Sequence, residues 1–452
     1  MSLNDTDIIQ GNPTKTFFIE MITRDISIKD VILNLLDNSI DGANKINPLD
    51  YSGLFIEITI NKDEFIVKDN CGGFSLETAQ KYAFRFGRPD DAPASLGSVG
   101  RFGIGMKRAL FKIGQNFEVE SKTEENHFQI DVDVNQWKSK KKTIKLIDST
   151  ENEIEDWDFR YENINPETCN LAEIGTFIRV KNLHLEVSSL FDDDEFLKDL
   201  KNDIERLLNF SLEKKIKITL NNIDLNKKDI VIFNEQSTPY YYEGNKNNVN
   251  FKVIAGLGEV GNPSVSGWYI YCNDRLVLEA DKSEITGWGT SNISKWHIDF
   301  VMFRGIVFLD SEETINLPLT TTKKGIDATS DIYKSVLVFM KDGMNNIIPF
   351  LREVTKLGNE ANDYRKMLGE QENKVSVVEI KTFPTIYEPR KFISPAIDSD
   401  LIAQKKDTVR VAYDVKKDIA DKAKFHSNSK SYKDLGEATF NYYLKMEDLD
   451  NE

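Results

Sequence analysis

The sequence predicts an α+β protein in which helices back antiparallel sheets, and three observations carry that prediction. Residues 30–44, DVILNLLDNSIDGAN, place Leu33, Leu36 and Ile40 at helical spacing, so this helix has an apolar face to bury. Between 117 and 182 the runs FEVESKT, HFQIDVDV, KTIKLID and GTFIRVKNL alternate as strands, separated by polar turns. A second strand series lies between 215 and 310, and a helical stretch at 331–372 follows it. At 452 residues the chain is too long for one core, and two to three domains are expected.

In chain order, residues 1–16 read as a loose arm, since MSLNDTDIIQGNPTK is polar and has no apolar signal core. Residues 17–29, FFIEMITRDISIK, are a helix or an extended lead-in. In the helix that follows, Asn34, Asn38 and Asp41 fall three and four residues apart on a second stripe. Side-chain oxygens at that spacing suit a hydrated divalent metal, although polar stripes on amphipathic helices are mostly solvated faces. LFIEITI (54–60) and EFIVKD (64–69) form a hairpin over Asn61-Lys62-Asp63. FIVKDNCGGF (65–74) then runs from strand into a glycine turn at Asp69, and a carboxylate at a strand end can accept a hydrogen bond from an exocyclic amine.

A helix is expected from Ser75 to Phe86, then a loop, GRPDDAPASLGSVG (87–100), flanked by Arg85 and Arg88. Its composition suits a mobile lid and equally an ordinary surface loop. LGSVGRFGIGMKRALFKIG (96–114) is glycine-rich and becomes helical from about Met106. Bare amides at a helix start make an anion site, so phosphates are expected here. Met106 after Gly105 excludes the phosphate loop that needs Lys-Ser/Thr there, and the glycine spacing is not that of the dinucleotide fingerprint.

A helix at 193–211 opens on the acid run FDDDE (191–195), read as a solvated helix start. KIKITLNNIDL (215–225), NFKVIAGLG (250–258), SGWYIYCNDRLVLEA (266–280) and FRGIVFLD (303–310) read as strands of a second domain, with Asn273-Asp274 as a hairpin turn. Residues 331–372 are one long helix or two, interrupted near Gly343 and Pro349, and 374–398 a linker or extended arm with three prolines. TVRVAYDV (408–415) alternates, and two short helices follow it, KKDIADKAKF and 431–447.

Composition narrows the function classes. With 40% hydrophobic and 29% charged residues, and no run near the roughly 18 apolar residues of a membrane span, a cytoplasmic protein is expected. Cys71, Cys169 and Cys272 are widely spaced without a CxxC, which argues against a disulfide framework or a zinc site. A formal charge of −16 argues against nucleic acid coating the whole surface, while local basic patches stay open.

Taken together and in this order, LLDNSIDGA, DNCGG and the GxxGxG run resemble the GHKL ATPase superfamily over residues 15–185: gyrase B, the ninety-kilodalton heat-shock chaperones, histidine kinases, MutL and MORC proteins. The resemblance implies an α/β sandwich that binds ATP and Mg. It implies Asn38 as the Mg ligand, Asp41 and Ala43 on the adenine and ribose side, Asp69 holding the adenine amine and Gly73 allowing close approach. Gly100, Gly103 and Gly105 would wrap the phosphates, with Lys107 reaching them, and Thr176 of EIGTFIRV would support adenine through water. Where MutL and MORC carry the catalytic glutamate stands Asn34, an amide that cannot take a proton. Histidine kinases also have Asn there and use ATP without hydrolysing it; Asp30 and Asp37 are the substitutes to consider, Asp37 being expected to face away. Cys71 replaces the first glycine of its turn, a change the turn should tolerate.

WYIYCNDRLV resembles the ribosomal-protein-like transducer domain of MutL and MORC. That implies a lysine in LPLTTTKKGID (317–327) contacting the γ-phosphate, Lys323 first and Lys324 second. The C-terminal strand, helix, helix resembles a ribbon-helix-helix unit, with Arg410, Ala412 and Asp414 outward, and implies a homodimer. Residues 401–440 hold nine Lys or Arg against six Asp or Glu, so dimerisation is favoured over base reading, with DNA backbone contact still open. The expected division is 1–185 ATP-binding domain, 186–330 transducer, 331–404 helical segment and linker, and 405–452 dimerisation unit. The expected activity is that of a MORC- or MutL-like ATPase clamping DNA in genome defence or repair; the competing class is a nucleotide-gated switch with a protein partner and little hydrolysis.

Overall fold

Helix caps and apolar periods place the elements where the sequence put most of them. The computed structural model describes residues 11, 13–87, 104–145, 151–164, 169–259, 262–320, 325–383, 390–397, 411 and 413–447. It separates into two units, Met1–Ala396 and Ile397–Glu452.

Helix α1 (Lys15–Arg24) starts on Thr14 and α2 (Ile28–Ile46) on Ser27, whose hydroxyl oxygens accept from Phe17 N–H and Asp30 N–H. A hairpin of β1 (Phe55–Ile60) and β2 (Glu64–Asp69) follows, then a single helical turn, α3 (Leu76–Thr78), that widens into a π turn at Ala79–Ala83. The next described helix is α4 (Gly105–Ile113), leading into β3 (Gly114–Lys122), β4 (His127–Asp133) and α5 (Val134–Ser139). The small hairpin β5 (Lys141–Lys145) and β6 (Glu151–Glu155) stands apart, and β7 (Glu162–Asn163) and β8 (Gly175–Leu183) return to the main sheet. Helices α6 (Leu185–Phe191), α7 (Asp194–Leu207) and α8 (Asn209–Glu213) lead to β9 (Lys217–Leu220) and β10 (Ile223–Asp224).

These strands form one eight-stranded sheet, β10-β9-β1-β2-β8-β3-β4-β7, in which β1 and β9 run parallel and the other pairs antiparallel. Alternation sets its covered face: Ile56, Ile58 and Ile60 of β1 are buried while Glu57 and Thr59 are exposed. Against that face pack Val31, Leu35 and Leu36 of α2 with Ala109 and Leu110 of α4. Because α2 lies between the sheet and other elements, it is buried on more than the one face its period suggested, Asn34 and Asp37 included.

The strand expected to open the second domain belongs here instead. Ile218 of β9 pairs with Ile56 in parallel register, and Ile218 and Leu220 join the same core as Leu200 and Ile204 of α7. That core runs through Leu225, past the expected boundary at 185, because β9 and β10 contribute the apolar face that extends the sheet edge. The acid run 191–195 opens α7, where Asp193 accepts from Glu195 N–H as its cap.

The second sheet has the order β12-β13-β16-β14-β15: β12 (Tyr240–Lys246), β13 (Val249–Leu257), β14 (Gly267–Cys272), β15 (Arg275–Asp281) and β16 (Phe303–Asp310). The turn between β14 and β15 is the expected pair, Asn273 at φ 46° and Asp274 at φ 64°, both left-handed as a two-residue hairpin requires. Every residue of β14 is buried, since each face of the sheet is covered. On one face lies α9 (Asp331–Lys356), where the Trp268 indole donates to Met344 Sδ at 3.3 Å. On the other, Tyr269 and Tyr271 meet Phe210 of α8 with Val377 and Ile380 of α11 (Val377–Lys381). Part of the expected linker is therefore core: α10 (Ala361–Gln371) leads to β17 (Lys374–Ser376), which pairs with β11 (Val231–Phe233), and α11 follows. Nor do Gly343 and Pro349 break α9. A Cβ at Gly343 would lie 3.0 Å from Ala255 Cβ, so its glycine lets the helix approach the sheet.

The second unit contains α12 (Lys417–His426) and α13 (Tyr432–Met446), neither with a buried residue. A strand was expected at 408–415; its described residues, Val411 and 413–415, form none, and Arg410 and Ala412 lie outside the described residues. No described helix is long and apolar enough to cross a membrane.

Candidate functional site

The site is built where α2 passes the end of β2. Asp69 is the last residue of β2, 4% exposed, and its carboxylate is held by uncharged donors. The Ser39 hydroxyl donates to Oδ2 at 2.7 Å, and the N–H groups of Cys71 and Thr176 donate to Oδ1 at 2.9 and 3.3 Å. Burial pushes the Asp69 carboxyl up, the three donors pull it back, and the net lies above the ordinary range. A carboxylate offers about four lone-pair sites, so the three donors leave acceptor capacity on Oδ2, which is what an amine ligand needs.

The glycine turn after Asp69 is shaped by the protein itself. Gly73 has φ 61°, and a Cβ there would collide with the carbonyl oxygen of Lys122 and lie 2.8 Å from that of Gly175. The close approach expected of Gly73 is thus first an approach to β3 and β8, clamped by Ser121, whose hydroxyl accepts from Phe74 N–H and donates to Phe74 C=O.

On α2, the Asn38 side chain is exposed and in no hydrogen bond among the described residues, while Asn34, one turn earlier, is buried. Gly105 opens α4, and a Cβ on it would stand 3.9 Å from Asn34 Cβ, so the start of α4 meets the asparagine-bearing helix α2. A hydrated divalent cation needs few protein oxygens because it keeps several waters. The Asn38 amide oxygen fits it as one ligand, and the N–H groups at the start of α4 fit phosphate oxygens. Thr176, the second residue of β8, pairs with Asp69 in register.

Four expected site residues stand elsewhere. Lys107 is buried, with its ammonium donating to Ala83 C=O at 2.5 Å and the Phe86 ring 6.0 Å away, so in this structure it is directed at the π turn rather than outward to phosphate. Burial lowers it to about 7. Ala43 is fully buried in the apolar core. Asp41 lies one turn after Asp37 on the stripe that faces the second domain, lining a cavity of about 250 Å³ with Tyr51, Lys214 and Arg275. Asp30 belongs to the start of α2: its N–H donates to Ser27 Oγ, and its Oδ2 accepts from the Ser27 hydroxyl at 2.7 Å. Gly100, Gly103, Lys323 and Lys324 lie outside the described residues, as does most of the expected lid. Asp37 faces away from Asn38, as expected, and its Oδ1 lies 3.4 Å from Arg275 Nε.

Ser39, which donates to the Asp69 carboxylate, is the side chain of this pocket that sequence reasoning passed over. Its signal was positional: one residue past Asn38 on a helix turns 100°, toward the neighbouring strand end. Away from this pocket, ligand atoms of Glu120, His127 and Cys169 come within 4.8 Å of one another. Glu120 accepts from His127, from Leu171 N–H and twice from Asn170, which makes it the anchor of the 169–171 loop.

Residues 26–176 match a family model described as histidine kinase-, DNA gyrase B-, and HSP90-like ATPase. No curated protein matches the chain. The matched segment contains α2, Asp69, the start of α4 and Thr176, so the pocket described above lies in the part of the chain that is similar to these ATPases, and this similarity supports ATP binding.

Proposed function

We propose that the protein binds ATP with Mg in this pocket and uses the nucleotide to switch between open and closed arrangements, in the manner of MORC and MutL ATPases. The observation that carries the reading is the buried Asp69 carboxylate, held by Ser39 and two backbone amides with acceptor capacity left. Such a group accepts from the adenine amine and opposes the guanine carbonyl, which presents no donor at the same position. Asn38 supplies the protein ligand to Mg, which neutralises phosphate charge when bound, and the α4 amides receive phosphate oxygens. Lys323, of the run LPLTTTKKGID (317–327), is the γ-phosphate contact of the closed state.

Asn34 favours the reading with little hydrolysis. An amide accepts no proton from water, and Asp30, one turn earlier, is engaged with Ser27. The switch then acts by binding, on DNA or on a protein partner, in the cytoplasm. Pairing with a second copy is supported by the second unit, where Phe425 is 90% and Tyr442 65% exposed on helices without a core. A DNA clamp in genome defence or repair is the output we favour.

Binding titrations in Mg buffer test the nucleotide reading. ATP should bind at least about 10-fold more tightly than GTP, as hydrogen-bond discrimination of this kind supplies, and Asn38→Ala should remove the Mg dependence. No affinity for adenine nucleotides would overturn it. Turnover separates the two outputs: near-background hydrolysis by the parent, raised in Asn34→Glu, supports the switch. A salt-dependent shift of duplex DNA, lost on truncation before Lys405, supports the clamp.

A further inference from the structure

We infer that Arg275 is a positioning residue for the nucleotide helix: the second domain holds α2, and with it Asn34 and Asn38, through a buried ion pair to Asp37. The inference rests on the nucleotide reading above and names the contact through which the second domain acts on that site.

The hairpin that presents Arg275 is held at its tip. Asn273 donates to Ser311 C=O at 3.0 Å and accepts from Ser311 N–H at 2.9 Å. Asp274 receives the Lys381 ammonium at 2.5 Å and the Lys214 ammonium at 3.1 Å, and Lys381 also reaches Asp310 at 2.8 Å. Three elements therefore grip two residues, and the next one, Arg275, has no freedom to swing.

Arg275 is 7% exposed and Asp37 3%, with Nε 3.4 Å from Oδ1. Asp37 adjoins Asn38 and follows Asn34 by three residues within one uninterrupted helix. Displacing Asp37 thus displaces both amides, because a helix moves as a body. The guanidinium is under-used as it stands. Its Nε lacks hydrogen-bond geometry to Asp37, and Nη1 is buried with no hydrogen-bond partner among the described residues. The adjoining cavity of about 250 Å³ contains Asp41, one turn beyond Asp37. A small shift of α2 brings one of these carboxylates into two-point contact with the fork, the geometry that guanidinium and carboxylate favour. The joint so has two arrangements, and a nucleotide bound at Asn38 that prefers one of them shifts the other domain with it.

The test is ATP affinity in Mg buffer for the full chain, beside hydrogen exchange of amides 34–42 without nucleotide. Arg275→Ala should weaken ATP binding about 10-fold, within the usual range of coupling between sites, and speed exchange in α2. Arg275→Lys, which keeps the charge and loses the fork, should recover part of the affinity. Since Arg275→Ala removes the guanidinium that the buried Asp37 carboxylate faces, the neutral pair Asp37→Asn with Arg275→Met serves as a folded control. That pair should keep the parent melting temperature and still show the weakened affinity, which a purely structural role would not produce. Parent-like ATP binding by the folded neutral pair would overturn the inference. If the parent binds no ATP, the nucleotide reading falls, and α2 exchange decides the joint: faster in Arg275→Ala supports it, unchanged sinks it.

Discussion

Two regions flank α2, and each is organised around a buried carboxylate that is satisfied in a different way. On the nucleotide side, Asp69 is held by a hydroxyl and two amides, none of them charged, and burial leaves its carboxyl above the ordinary range. On the second-domain side, Asp37 meets a guanidinium and Asp274 two ammonium groups. Burial pushes the Asp274 carboxyl up as well, but Lys381 and Lys214 more than offset it, and it stands below the ordinary range. Neutral donors fix a carboxylate in place while leaving its charge and a lone pair for an arriving group. Opposite charges use both, which suits a joint and not a binding site.

The contrast is broken most directly through stability. Asp37→Ala leaves the Arg275 guanidinium buried without its counter-charge, and the expected loss is about 3–5 kcal/mol, read from the urea midpoint. Asp69→Asn should change stability by less than about 1 kcal/mol, because an amide oxygen still accepts from Cys71 and Thr176 and its NH₂ can donate to Ser39. If Asp69→Asn proves the more destabilising, the distinction between site and joint fails.

Affinity should order the same two variants the other way. Asp69→Asn turns an acceptor into a donor toward adenine and should weaken ATP binding by about 1.5–3 kcal/mol, roughly 10- to 150-fold in a titration. In the parent, ATP affinity should fall as pH drops through the raised Asp69 value, since a protonated carboxyl no longer offers the same acceptor. The fall should begin at a higher pH than an ordinary aspartate near 3.9 would give.

Lys107 sharpens the contrast as a buried ammonium that donates to the carbonyl of Ala83. Its folded value near 7 lies below the ordinary 10.5, so between these the unfolded chain carries a proton that the folded one lacks, and stability rises with pH across the window. Below pH 7 both states carry it and the cost of burial is full. Lys107→Met should therefore stabilise by about 1–3 kcal/mol at pH 6, with the gain shrinking toward pH 10. The smallest effect is that of Ser39→Ala, about 1 kcal/mol, together with a further rise in the pH at which ATP affinity falls.

What could be read from the chain was local. Asn38 and Asp69 could be singled out because a helical stripe and a strand running into glycines are written within a few residues. Ser39 sits on the same helix and was missed, because only the path of β2 brings a carboxylate beside it. Asp41 and Ala43 were assigned by their place in a motif, yet a 100° step per residue puts one toward the second domain and the other into the core. Lys107 follows the glycine loop closely in sequence, and its direction depended on the π turn whose carbonyl receives it.

By itself the sequence determined the periods, caps and turns: α2 begins on Ser27, β14 and β15 join through Asn273-Asp274, and α4 starts at Gly105 behind the glycine run. Each depends on hydrogen bonds and side-chain directions a few residues apart. Tertiary structure alone decided that β9 joins the first sheet, that residues 374–381 close over the second, and that Arg275 reaches Asp37 across 238 positions of chain. Those outcomes depend on which apolar faces can be buried together and which charges then find each other, and no local pattern encodes a partner that far away.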